Sequence, residues 1–153
     1  MTPESTDRRD FLVAGAALAA AALAAAPEPA AAQAPGGRVT AHVLDLYSGT
    51  PANGIRIDLV AIDGGVSRVL KSVITNADGR PPEGPLVTPD GMKTGRYQAV
   101  VYVGDYYKRI GAKLPGGYYT KLILEFDIYD PKSPHHLPFQ ITPWTQSASV
   151  LPG

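Results

Sequence analysis

The 153-residue sequence predicts an all-β fold: a two-sheet β-sandwich of seven or eight short strands with one short helix. Three observations carry that expectation. Apolar and polar residues alternate with period 2 along most of the chain after residue 38, which is the pattern of half-buried strands. Clusters of Gly, Pro, Asn and Asp break those runs at roughly 8–12-residue intervals. A single stretch, residues 105–111, suits a helix, and no heptads or internal repeats are present.

The first third of the chain has a different composition. Arg8-Arg9 is followed by Phe11-Leu12, an alanine-rich apolar run over residues 13–26 and a Pro/Ala segment ending at Pro35. Paired arginines, a weakly apolar run and an A-x-A site predict a twin-arginine export signal over residues 1–32, with cleavage after Ala32 and a periplasmic destination. The run is shorter than the ~20 residues that span a bilayer, so no membrane association is expected after cleavage. Residues 33–37 form a flexible lead-in, and residues 38–153 form one domain of ordinary size. Removing residues 1–32 takes out two Arg and four Asp or Glu, leaving 12 basic and 10 acidic side chains. So small a net charge argues against nucleic acid or an anionic surface as a partner. There are no cysteines, which excludes thiol chemistry and Cys-based metal sites.

The strands follow in order. Residues 38–46 put Val39, Ala41 and Val43 on one face and Thr40, His42 and Leu44 on the other. Residues 48–54 are dense in turn formers. Residues 55–62 and 66–75 form a hairpin across Asp63-Gly64-Gly65, because two glycines take positive φ without steric cost. The turn Asn76-Ala77-Asp78-Gly79 then delivers Arg80. The Pro/Gly-rich residues 81–95 leave room for one short edge strand near Leu86-Val87. Residues 96–103 are a further strand, and in the helix of residues 105–111 Asp105 caps the start and Gly111 the end. Residues 120–129 alternate most clearly. Residues 135–144 place Leu137, Phe139 and Ile141 on one face and His136, Pro138, Gln140 and Thr142 on the other. A short strand over residues 147–151 closes the chain.

Candidate chemistry rests on few residues. His42 and His136 both lie on polar strand faces, and imidazole exchanges protons near neutral pH. Arg80, at the end of a tight turn, supplies a cation that a loop can aim. His135 and His136 point to opposite faces of their strand, so a metal ion shared by both is not expected. No dinucleotide, P-loop or H-E-x-x-H motif occurs, and neither a metal nor a cofactor is expected.

Several segments together resemble the transthyretin-like proteins, specifically the hydroxyisourate hydrolase branch. Thr40-Ala41-His42-Val43-Leu44-Asp45 followed by Ser48-Gly49, Pro51-Ala52 and Gly54-Ile55 is similar to that family's N-terminal signature. Asn76-Ala77-Asp78-Gly79-Arg80 resembles its central turn, His136-Leu137-Pro138-Phe139 its second histidine segment and Thr142-Pro143-Trp144 its Ser-Pro-Tyr. The match covers most of residues 38–144. The resemblance implies a transthyretin-like sandwich assembled as a homotetramer, with sites along a channel between subunits. It implies hydrolysis of 5-hydroxyisourate, with His42 and His136 activating water and moving protons, Arg80 binding the substrate and Ser147 hydrogen-bonding its ring. The family's Tyr-Ser-Thr-Tyr-Arg-Gly-Ser tail is replaced here by residues 146–152, in which Ser147 fits while Ser149 and Val150 stand at the second Tyr and the Arg. The alternative is an exported module of the same fold that binds another small ligand without hydrolysing it.

Overall fold

The computed structural model describes residues 36–114, 116 and 119–153. The expected export signal at residues 1–32, and the start of the lead-in, lie outside the described residues. Nine strand segments and one α-helix are found among those described. In chain order they are β1 (Val39–Asp45), β2 (Thr50–Pro51), β3 (Arg56–Asp63), β4 (Val66–Ile74), β5 (Gly95–Val101), α1 (Val103–Arg109), β6 (Leu122–Ile128), β7 (His135–Ile141), β8 (Gln146–Ala148) and β9 (Leu151–Pro152).

The strands form two sheets. One has the order β2-β1-β7-β8, with β9 also on β7; the other has the order β4-β3-β5-β6. Alternation decides what lies between them. Val39, Ala41 and Val43 of β1 and Leu137, Phe139 and Ile141 of β7 are each at most 1% exposed. They meet Ile57 and Leu59 of β3 and Ala99 and Val101 of β5 in one apolar core. Each Val, Leu, Ile and Phe among them contributes about 1.5–3 kcal/mol through burial. A one-residue slip would turn the whole set to solvent, so the register is strongly specified. β1 and β7 run parallel over seven paired residues, from Val39 opposite His135 to Asp45 opposite Ile141.

Several expected elements differ in detail. The edge strand near Leu86-Val87 is a single bridge, in which Val39 N donates to Val87 O at 3.0 Å and Leu86 N to Val39 O at 2.7 Å. Prolines on either side leave too few free N–H groups for more. The short β2, read from sequence as turn, pairs with the end of β1. The last strand is interrupted between Ala148 and Leu151, yet β8 and β9 keep one continuous antiparallel register on β7.

The helix starts two residues earlier than expected, at Val103, and Asp105 lies in its first turn instead of capping it. Its position is set by burial. Val103, Gly104, Tyr106 and Tyr107 face inward, and Gly104 N donates to Thr120 O at 3.0 Å. Both tyrosine hydroxyls reach Asp45 at the end of β1: Tyr107 Oη donates to Oδ1 at 2.5 Å and Tyr106 Oη to Oδ2 at 3.1 Å. Asp45 is fully buried and also accepts from Ser48 Oγ at 2.7 Å and Tyr47 N at 3.0 Å. A buried carboxylate is tolerated only when so fully partnered. Asp45 therefore locks the helix and the loop after β1 to the strand that carries His42.

Candidate active site

The outer face of the β1/β7 sheet carries the polar alternates. Parallel pairing sets Thr40 opposite His136 and His42 opposite Pro138. The two histidines consequently share one face of two neighbouring strands, on a diagonal where long side chains meet. Thr40 Oγ1 lies 2.8 Å from His136 Nδ1 and 3.4 Å from the His135 carbonyl oxygen.

Arg80 reaches this face from the turn after β4. Asn76 Oδ1 accepts from Asp78 N at 3.0 Å and from Arg80 N at 3.1 Å, closing an Asx-type turn. Gly79 has φ +71°, and its carbonyl accepts from Val43 N at 2.9 Å, which fastens the turn to β1. A Cβ at this position would lie 2.3 Å from Val43 O, so both the positive φ and the close approach require glycine. So held, Arg80 brings Nη2 to 3.5 Å from His42 Nδ1.

The electrostatics favour neutral imidazoles. Partial burial pushes His42 below its ordinary pKa, the Arg80 guanidinium pushes it further, and the Asp78 carbonyl and carboxylate oppose both. His136 is likewise lowered, first by burial and then by Arg80 and His42. Two neutral imidazoles beside a permanent cation can accept a proton, donate one and stabilise developing negative charge. A cleft of about 200 Å³ lies beside Thr40 and Arg80, bounded also by Arg38, Pro81 and Pro85, and neither histidine lines it.

The structure thus brings three of the four candidates together. Ser147 shares their face but stands apart from them. It pairs with Gln140, four residues along β7 from His136, roughly 13 Å at the rise of a strand. His135 turns the other way, and its Nδ1 is buried without a hydrogen-bond partner. Among the described residues no group of three or more His, Cys, Asp or Glu is placed to hold a metal ion. A larger depression of about 500 Å³ lies on the other sheet, between Ile62, Arg96, Asp127 and Tyr129. Arg96 and Asp127 there already pair with each other at 3.0 Å, and Tyr129 Oη donates to Asp127 Oδ2 at 3.2 Å, so the charged groups of this depression are engaged with one another.

Sequence reasoning put Thr40 on the His42 face but did not connect it to His136. The strand that flanks β1 is what makes that contact, and local patterning does not encode it. Leu151 was also missed: it pairs with His136 and is 45% exposed, an apolar neighbour on the site face.

A sequence profile of the HIUase/Transthyretin family matches residues 39–148. The 5-hydroxyisourate hydrolase 2 of Rhizobium meliloti (strain 1021) is 41% identical over 112 residues, covering 72% of this chain and 92% of that protein. Among solved structures, Klebsiella pneumoniae 5-hydroxyisourate hydrolase superposes with a TM-score of 0.62 at 28% identity, over 75% of this chain and 98% of that one. Sea bream transthyretin in complex with thyroxine superposes with a TM-score of 0.68 over 76% of this chain and 96% of that one. At 17% identity it is a likeness of fold alone.

Proposed function

The chain belongs to the HIUase/transthyretin family, and from that premise we propose that it hydrolyses 5-hydroxyisourate, opening a cyclic amide with water. The observation that carries this is the convergence of His42, His136 and Arg80 on one face, with both imidazoles biased toward their neutral forms. One imidazole takes a proton from water as the oxygen adds to the ring carbonyl carbon. The Arg80 guanidinium faces the resulting oxyanion with paired N–H donors. The C–N bond then breaks, the carbonyl carbon becomes a carboxyl group that stays attached to the rest of the opened ring, and a proton passes to the departing nitrogen. Ser147 hydrogen-bonds the substrate ring when a neighbouring copy completes the site.

Assembly and export belong to the same proposal. The face is open in a single chain, and a homotetramer encloses it; light scattering that finds a monomer at micromolar concentration removes that part. Residues 1–32 carry the chain to the periplasm, and mature protein appearing there after Arg8 and Arg9 are both changed to Lys removes the twin-arginine route.

The catalytic test is direct. The purified protein consumes fresh 5-hydroxyisourate faster than buffer does, and His136→Asn lowers the rate by ~100-fold or more, the usual scale of lost general acid–base help. A folded wild-type protein that leaves the substrate to its spontaneous decay overturns the hydrolase reading. A small-ligand-binding role on the same fold then takes its place.

A further inference from the structure

Two imidazoles on one face are interchangeable in composition but not in surroundings. His42 presents Nδ1 to Arg80 Nη2. A guanidinium has only donors, so this approach suits an unprotonated Nδ1 and leaves the His42 proton on Nε2. His136 presents Nδ1 to Thr40 Oγ1 at 2.8 Å. A hydroxyl can donate or accept there, and its second neighbour decides which. Thr40 Oγ1 also lies 3.4 Å from the His135 carbonyl oxygen, which can only accept. If the hydroxyl proton points at His136, the carbonyl faces a bare oxygen. If it points at the carbonyl, Thr40 is free to accept from His136 Nδ1–H, and both contacts carry a proton.

We infer that Thr40 is a positioning residue: it accepts a hydrogen bond from His136 Nδ1–H, leaves Nε2 of His136 as the base, and so divides the work with His42, which Arg80 holds in the opposite tautomer as the proton donor. The ring nitrogen that carries the proton is set by the hydrogen bond made at the other. The assignment has a geometric source. Thr40 meets His136 because β1 and β7 pair in parallel with these two residues opposite each other. Thr40 is β-branched on a strand, with a stiff χ1, so its hydroxyl is held in place before substrate arrives. The charged and titratable groups acting on this pair are Arg80 on both rings, His42 on His136, and Asp78 on His42 through its carboxylate and a backbone hydrogen bond. None of these competes with Thr40 as a hydrogen-bond partner of His136 Nδ1.

The role in turnover rests on the proposed hydrolysis; the tautomers do not. Long-range ¹H–¹⁵N correlation on the full chain labelled at histidine reads them without substrate. At neutral pH His136 is expected with its proton on Nδ1 and His42 with its proton on Nε2. A proton on Nε2 of His136, or an even mixture, overturns the assignment. Thr40→Val keeps the shape and removes the hydroxyl. It shifts His136 toward the Nε2–H form, moves the acidic limb of the rate profile, and lowers kcat by roughly ten-fold with KM little changed, well short of the ~10⁴-fold that follows loss of a charged orienting group. Thr40→Ser returns the hydroxyl and recovers most of both readouts. Full activity with an unmoved pH profile in Thr40→Val overturns the positioning role. If Thr40→Val does not fold, Thr40→Ala against Thr40→Ser makes the same comparison. A wild type that shows the expected tautomers but no turnover sinks the hydrolase reading and leaves the assignment standing.

Discussion

Arg80 Nη2 stands 3.5 Å from His42 Nδ1, and its charge also lowers the proton affinity of His136. One cation therefore serves both histidines. Arg80→Gln removes a charge that disfavours imidazolium, so both pKa values rise. A base must be neutral to act, so the acidic limb of kcat/KM moves to higher pH. Burial is the larger cause of lowering at both rings and survives the substitution. The limb consequently stays below the position set by a free imidazole. KM rises as well, because the paired donors are lost. A profile measured across the acid range checks the sign: a limb that stays put or moves down contradicts this electrostatic account.

The Asp45 cluster makes a separate prediction about stability. Burial and the neighbouring carboxylate raise the Tyr106 hydroxyl to about 12 and push Tyr107 up still more strongly. Unfolded tyrosine ionises near pH 10. The stability these groups contribute is complete below pH 10 and is lost as pH rises toward 12. Each tyrosine kept neutral by the fold costs about 1.4 kcal/mol per pH unit in that window. Urea midpoints are expected to fall steeply from pH 10, and the double change of Tyr106 and Tyr107 to Phe flattens the slope. Asp45→Ala instead lowers stability at neutral pH by about 1–3 kcal/mol for each buried hydroxyl left without an acceptor. An alkaline slope unaffected by the Phe changes rules out these tyrosines as its source.

Local patterning made part of this molecule legible. Alternation identified the core face of β1 and β7, and Asn-Ala-Asp-Gly announced the turn that carries Arg80. The pairing of β1 with β7 was not legible, because nothing local in either strand names its neighbour 96 residues away. Without that pairing Thr40 is a polar alternate and nothing more. Asp45 reads from sequence as one residue near the end of the first strand. Its burial depends on hydroxyls 61 and 62 residues further on. Val103 reads as the last residue of a strand, but an inward face packed beneath the loop at Thr120 starts the helix there. In each case the missing information was a contact between distant segments.

The altered tail gives the last prediction. Ala148 pairs with Phe139 and Leu151 with His136, so one register spans the break, and Ser149 N still donates to Pro138 O at 3.3 Å. Alternation through that register puts Ser147, Ser149 and Leu151 on the face of Gln140, Pro138 and His136. Ala148, Val150 and Pro152 take the opposite face, where Ala148 packs against the core. Ser149 and Val150, the two departures from the family's tail, therefore differ in consequence. Ser149→Tyr restores an aromatic ring on the site face. It is expected to lower KM about three- to ten-fold, the scale of one added aromatic contact. Val150→Arg restores a charge on the face turned away, where a surface change is worth about 0.5 kcal/mol or less, so kcat/KM stays within about two-fold. Steady-state kinetics on the two variants side by side decide the register. If Val150→Arg improves turnover and Ser149→Tyr does not, the tail approaches the site with its other face.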